Sequence, residues 1–369
     1  LIDGKKPVTR DNATLRQVTS FETVTDVDPV ASGDNIFFPF SYGEATGIRE
    51  LFTDSITDTK KARPITDHVN HYLIGAPSVM KTSTSLNLLL IKTEQDNILY
   101  AYDWLWQGNE KIQSAWGRFV FPSTDKILYF EFVDELLWLV IARDEPEPEN
   151  DQEVYIEKID MGDPDHAITG YPIRLDRKVE ATMTKTVGEI EWRVDNPYPL
   201  APFDDIVVIR GEDCYEADIG APIAIYEDGN EIVTDEELGT GDVEVIIGTI
   251  YTCIYSPTNP IALDENGYAL NLDRLTVGAC YINYNTTGKV IATVEQDNGT
   301  DREYTYNNRT LGGEENLVGF APLVEGQHRV PIRQKSDRYT ITLETESHLP
   351  LEIRDFEYNG TFNRRGKRI

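Results

Sequence analysis

The feature that most constrains this chain is a repeated stretch of strand-forming text between Ser85 and Asp160. LNLLLIKT, a turn at Gln95-Asp96-Asn97 and ILYAYDWLW are followed by a loop carrying GNEK and QSAWGRFVF. About forty residues later, ILYFEFV, a tight turn at Asp134-Glu135, LLWLVIAR and VYIEKID return the same hairpin-plus-strand unit. In such stretches β-branched and aromatic residues alternate with polar ones between Gly, Asn, Asp and Pro turns, the period of two that puts one apolar row on a buried sheet face. Helical periodicity is nearly absent. Asp58 to Tyr72 can hold a helical turn at most, because Pro64 interrupts it. The chain is therefore expected to be all-β. A repeat of this length fits propeller blades, and two units fit a β-meander equally well.

At 369 residues the chain exceeds one ordinary core and is expected to hold two or three domains. The texture changes after Gly162, where Pro164, Pro172, Pro197, Pro199 and Pro202 punctuate short strands. Three parts are expected: residues 1–162 as part of a β-propeller-like domain, 163–245 as an acidic β-domain, and 246–369 as an antiparallel β-sandwich or barrel with a basic C-terminal tail. Asp144 to Glu153 carries six acidic residues and two prolines, which makes it a solvated loop. Leu1 without a preceding Met reads as an internal start of a longer protein. No apolar run approaches the roughly 18 residues of a membrane span, so a soluble protein is expected.

Lys and Arg total 34 against 64 Asp and Glu, a formal net charge of −30. Phosphate-neutralising DNA binding is improbable for such a chain. The excess is concentrated between Asp204 and Glu244, with fourteen acidic residues and one basic one, Arg210. Against this background the last residues, NRRGKRI, stand out. Arg364, Arg365, Lys367 and Arg368 are expected to form an assembly contact, docking on an acidic neighbour or on another copy of the chain.

No catalytic, metal or cofactor constellation emerges. His68 and His71 in HVNH lack the HExxH context of a zinc site, and there is no GxSxG. TGKV at Thr287 to Val290 lacks the glycine and hydroxyl of a P-loop. The turns DENG at Asp264 and DNGTD at Asp297 resemble calcium loops but lack the EF-hand Glu, and hairpin turns explain both. Cys214, Cys253 and Cys280 have no CxxC spacing and are expected to be buried small apolar residues. Trp104, Trp106, Trp116 and Trp138 fit a carbohydrate platform or a blade core, and core packing is the stronger reading.

Four strings, in this order, resemble the nozzle proteins (tail tubular protein B) of short-tailed bacteriophages: LFTDSITDTKKARPITDHVNHYL, the loop QSAWGRFVF, GQHRVPI, and the ending LPLEIRDFEYNGTFNRRGKRI. The resemblance runs from about Phe37 to Ile369 and is weakest in the acidic middle. It departs at Phe356, near which the family usually has Trp. It implies a non-enzymatic virion tail protein, assembled in the bacterial host cytoplasm as a homohexameric ring. The implied partners are a tail adaptor (tail tubular protein A), tail fibres, and double-stranded DNA that passes without specific binding. It also implies a role in closing the tail before ejection. On that reading Asp204, Asp205, Glu212, Asp213, Glu216, Asp218, Asp235, Glu236 and Glu237 line or rim the lower channel or nozzle tip. Two competing expectations are a propeller-bearing tail hydrolase acting on host surface polysaccharide and a calcium-stabilised adhesin module.

Overall fold

The computed structural model describes residues 23–24, 26–42, 45–54, 59–69, 72–107, 110–144, 152–162, 169–185, 188, 190–199, 201–215, 219–263, 274–297, 299–307 and 323–363. Among these residues every regular element is a strand except one 3-10 turn at Phe203–Asp205, so the fold is all-β. The segment expected to hold at most a helical turn instead contributes a strand ending at Pro64, followed by turns. By packing, the chain divides into two units, Leu1–Asp163 and Pro164–Ile369.

The first unit holds three antiparallel sheets in chain order. They are β1 (Val30–Ser32), β2 (Asn35–Tyr42), β3 (Ala45–Asp54) and β4 (Thr59–Pro64); then β5 (Val79–Ser83), β6 (Leu88–Lys92), β7 (Ile98–Gln107) and β8 (Glu110–Val120); then β9 (Asp125–Val133), β10 (Leu136–Asp144) and β11 (Gln152–Asp160). Each is an up-and-down meander. QSAWGRFVF, expected as part of a loop, lies mostly in β8, which pairs with β7 from Ile98↔Val120 to Gln107↔Glu110. Its side chains are mostly exposed, which keeps the polar residues that made the segment read as a loop. The two-residue turn between β9 and β10 places Asp134 at φ 57°, a left-handed conformation that Asp tolerates better than most residues.

Every residue of β6 is buried, and the period of two explains why. Leu89 and Ile91 pack with Phe37, Ile48, Tyr100, Tyr102 and Trp104 toward the first sheet. Leu88 and Leu90 pack with Ile127, Phe130, Leu137, Leu139 and Ile141 toward the third. The second sheet is thus a middle layer covered on both faces, and its central strand reads as an unbroken apolar run. The sheets meet most closely at their first strands, β1 beside β5 and β5 beside β9. There Thr82 Oγ1 donates to the Ala31 carbonyl at 2.7 Å. The three meanders thus stack in chain order and approach one another along their first strands.

The second unit begins with β12 (Asp176–Lys185), β13 (Trp192–Asp195), β14 (Ile206–Arg210), β15 (Pro222–Ile223), β16 (Tyr226–Asp228), β17 (Glu231–Thr234) and β18 (Val243–Thr249). They form one sheet in the order β15-β14-β18-β12-β13-β17-β16. Ile223 from one end and Ile232 from near the other share a core with Met183, Trp192, Val208 and Val245, so the sheet curls around its own apolar face. The expected division between residues 245 and 246 falls inside β18, which pairs with β12 and β14.

Next come β19 (Cys253–Tyr255), β20 (Arg274–Thr287), β21 (Val290–Gln296), β22 (Arg302–Tyr306), β23 (Val324–Lys335), β24 (Tyr339–Thr345) and β25 (Glu352–Asn363). They make two sheets, β19-β24-β21-β22 and β23-β20-β25. Val277, Cys280 and Ile282 of one sheet meet Val290, Ala292, Ile341 and Leu343 of the other, which is a sandwich. Cys214 and Cys280 are buried as expected, but Cys253, on an edge strand, is exposed.

Candidate functional site

Three arrangements gather polar groups that could carry chemistry: the acidic segment, a charged cleft in the first unit, and the histidines. Among the acidic candidates, Asp204 is exposed and Asp205 half-buried in the 3-10 turn that leads into β14. Glu212 and Asp213 are exposed just beyond its other end. β14 lies between these pairs, whose nearest members, Asp205 and Glu212, are seven residues and up to about 23 Å apart at strand rise. Asp235, Glu236 and Glu237 follow β17 and join the second group, since Tyr215 N donates to the Leu238 carbonyl at 3.2 Å and Gly211 N to that of Glu244 at 3.1 Å. Glu216 and Asp218 lie outside the described residues, as do Arg364, Arg365, Lys367 and Arg368.

Arg210 organises this second group. Buried at the end of β14, its guanidinium pairs with Glu236 through Nη2 and reaches the Glu237 carbonyl through Nη1 at 3.4 Å. Glu236 also accepts from Ala224 N at 2.9 Å, and Lys185 Nζ pairs with Glu237 at 2.7 Å. On the other wing of the sheet, Arg193 bonds Glu191, Asp228 and Glu231 at 2.7, 2.8 and 2.7 Å, and these three carboxylates raise its pKa above the ordinary arginine value. The segment is therefore not uniformly repulsive. Basic side chains neutralise Glu236 and Glu237 locally, while Asp204, Glu212, Asp213 and Asp235 face solvent.

The charged cleft, about 270 Å³, is lined by Arg63, His68, Tyr102, Lys111, Gln113 and Ser114 among others. Behind it Glu50, with no exposed surface, accepts from Lys111 Nζ at 2.8 and 2.9 Å, Arg63 Nε at 3.1 Å and Asn35 Nδ2 at 3.0 Å. Lys111 Nζ lies 5.1, 5.5 and 5.3 Å from the ring centroids of Tyr102, Trp104 and Trp106. Burial lowers the Lys111 pKa while Glu50 opposes the shift. The same burial pushes Tyr102 up to about 12. The network staples the first sheet to the second. Sequence reasoning missed it, because Glu50 and Lys111 are 61 positions apart and neither carries a motif.

Trp104 is buried and Trp106 and Trp116 are partly buried in the core between these sheets, whereas Trp138 is exposed on the far face of the third sheet. The four do not form one platform. His68 is exposed, and His71 lies outside the described residues. His328, another residue without a sequence signal, is stacked between Tyr284 and Tyr306 with both ring centroids 4.1 Å away, and burial lowers its pKa to about 4. The turn at Asp297 joins β21 to β22 as a hairpin, with Asp301 Oδ1 accepting from Gln296 N at 3.2 Å, and Asp264 lies outside the described residues. Among the described residues no three His, Cys, Asp or Glu side chains are grouped to hold a metal ion, and no helix is long and apolar enough to cross a membrane.

A family model described as bacteriophage nozzle protein matches residues 1–369. The chain is 20% identical over 388 residues to the tail tubular protein gp12 of Escherichia phage T7, an alignment that covers 98% of this chain and 46% of that protein. It therefore spans about half the length of the curated relative it matches. Solved structures of an exo-β-1,3-galactanase from Phanerochaete chrysosporium align with TM-scores of 0.19. One, with galactotriose, is 11% identical and covers 89% of this chain and 69% of its own; another, with galactose, is 10% identical and covers 90% and 80%. Likeness at that level carries no argument about fold or activity.

Proposed function

Because the chain belongs to the bacteriophage nozzle protein family, we propose that this phage tail structural protein forms, as a sixfold ring, the nozzle through which viral DNA leaves the virion. The observation that carries the reading is the match of the family model to the whole chain. The relative's name, tail tubular protein, points the same way. In this reading the subunit docks on the tail adaptor, contacts tail fibres, is assembled in the host cytoplasm, and helps to close the tail until ejection. The first unit is part of a β-propeller, the acidic part of the second lines or rims the channel, and the basic tail from Arg364 to Arg368 is an assembly contact.

Charge gives the channel its logic. Six copies carry a formal charge of about −180. Duplex DNA presents one negative charge per ~1.7 Å, so a basic wall would hold it by counterion release, whereas an acidic wall lets it slide. Repulsion reaches only ~8 Å at physiological salt, so the carboxylates act where the bore is narrow. Glu212, Asp213 and Asp235 are the best placed, being exposed. Asp204 and Asp205 belong to a second level.

The test is the mass and symmetry of the purified chain, by light scattering and particle imaging, alone and with adaptor rings. A sixfold ring with an axial channel that caps the adaptor is expected. A monomer that ignores the adaptor overturns the reading. Replacing Glu212, Asp213 and Asp235 together by Lys should slow DNA exit from assembled particles, most strongly at low salt. An unchanged exit rate rejects the channel role of these residues without touching the ring.

A further inference from the structure

Asn35, Glu50 and Lys111 come from three strands and two sheets, yet they meet at one oxygen atom. Glu50 Oε1 accepts from Lys111 Nζ at 2.8 Å and from Asn35 Nδ2 at 3.0 Å. The amine and the amide nitrogen are therefore no further apart than two hydrogen bonds laid end to end, and the amide carbon of Asn35 is bonded directly to that nitrogen. Register explains the meeting on the first sheet. Phe37 of β2 pairs with Glu50 of β3, and Asn35, two residues before Phe37, lies on the same face. Lys111 reaches that face from β8 of the second sheet, where it pairs with Trp106.

The surroundings suit a reaction between the two side chains. Lys111 is 6% exposed and Glu50 is 0% exposed, and the rings of Tyr102, Trp104 and Trp106 wall in the amine. By contrast, the carboxylates paired with Lys81, Lys92 and Lys185 are 45, 59 and 53% exposed, so those pairs stay in contact with water. A desolvated lysine becomes a nucleophile once its ammonium gives up a proton, and a carboxylate within hydrogen-bond reach of both nitrogens can carry that proton from one to the other. Burial already lowers the Lys111 pKa, and Arg63 of β4, bonded to Glu50 at 3.1 Å, further disfavours the ammonium. The remaining titratable neighbours are the Tyr102 hydroxyl of β7, which accepts from Nζ at 3.1 Å, and His68 at the cleft. That cleft gives a small leaving group a way out.

We propose that Asn35 and Lys111 form a modification site at which an intramolecular isopeptide bond closes, with Glu50 as the general base. Nζ, as the free amine, attacks Cγ of Asn35, and the carbonyl electron pair moves onto Oδ1 as the new C–N bond forms. Glu50 takes a proton from Nζ and delivers it to Nδ2. The Cγ–Nδ2 bond then breaks while the carbonyl re-forms, and ammonia leaves. One C–N bond replaces another, so the step balances without an oxidant or a co-reactant. The Lys111 ammonium must first surrender its proton against the pull of Glu50, so closure is slower than folding, and the freshly folded chain holds the open, ion-paired network. Once closed, the bond ties the first sheet to the second covalently. The inference stands independently of the nozzle reading.

The test is intact-mass spectrometry of the purified chain, fresh and during incubation in acidic and in mildly alkaline buffer, with sequencing of its proteolytic fragments. The loss of one ammonia and a branched fragment joining Asn35 to Lys111 are expected. The rate should rise about tenfold per pH unit while the ammonium is the main form. Asn35 is only half-buried, so Asn35→Ala should fold and keep its full mass. Glu50→Gln, checked for folding by tryptophan fluorescence, should also stay open. A parent chain that keeps its full mass through the alkaline incubation overturns the proposal, whatever the variants do. So does an ammonia loss that maps to a cyclic imide at an asparagine preceding glycine, such as Asn298 or Asn359, with no branched fragment. Closure of folded Glu50→Gln at the parent rate overturns the role of Glu50.

Discussion

Removing the ammonium of Lys111 should unfold the first unit at lower denaturant than any surface substitution. Glu50 is fully buried, and at 2.8 Å its attraction to Lys111 is about 6 kcal/mol for an effective dielectric of ~20. Taking both ions out of water costs several kcal/mol each, so the intact network is close to balanced. In Lys111→Met the stem that packs on Tyr102, Trp104 and Trp106 is kept, while Glu50 stays buried with one fewer donor. Breaking a buried pair costs about 3–5 kcal/mol. The low end, about 3 kcal/mol, is expected here because Arg63 and Asn35 still bind the carboxylate. Glu50→Gln combined with Lys111→Met removes both charges and should recover to within about 1 kcal/mol of the unmodified protein, a coupling of about 2 kcal/mol or more. Urea titration followed by tryptophan fluorescence reads this unit preferentially, since Trp104, Trp106, Trp116 and Trp138 lie in it and only Trp192 in the second. A single substitution costing under about 1 kcal/mol, or a double mutant whose cost is the plain sum, refutes the reasoning.

Other parts of the fold make equally direct predictions. His328 has a folded-state pKa lowered from 6.5 to about 4, so its contribution to stability is complete above pH 6.5 and lost as pH falls toward 4. The loss is about 3 kcal/mol at 1.36 kcal/mol per unit. His328→Phe should flatten the stability profile over that window relative to the unmodified protein, and an NMR titration of the imidazole should place its midpoint near the lower value. Leu89→Ala and Leu90→Ala alter adjacent residues that face different neighbouring sheets, and each should cost about 2–5 kcal/mol in denaturant unfolding. A Cβ on Gly211 would lie 2.3 Å from the Glu244 carbonyl oxygen, so Gly211→Ala should destabilise by about 1–3 kcal/mol. Gly117 in β8 has open space and an ordinary strand backbone, so Gly117→Ala should be neutral or stabilise by a few tenths of a kcal/mol, which thermal melts of the pair would check.

By itself the sequence determined the class of structure and the texture of its surface. A period of two without a period of 3.6 leaves only strands, and the run at Leu88–Lys92 was visible as a strand before its two neighbours were known. The turn at Asp134-Glu135 and the charge imbalance were equally open to reading, because both are local or additive. Alternation says which side chains share a face and nothing about what meets that face. Only the tertiary structure decided that Leu89 and Leu90 enter different cores, that Trp138 is bare while Trp104 is buried, and that the polar segment around Trp116 is a strand. The order β15-β14-β18-β12-β13-β17-β16 depends on pairings such as Asp176↔Thr249, which join distant segments and leave no local trace. The same holds for the charged groups. The acidic segment was legible as composition, but its division into two groups, one anchored by Arg210 and partly neutralised by Lys185, followed from strand β14 holding the groups at its opposite ends. Glu50 and Lys111 became a pair only because two sheets, each specified by its own alternation, packed face to face and took both ions out of water.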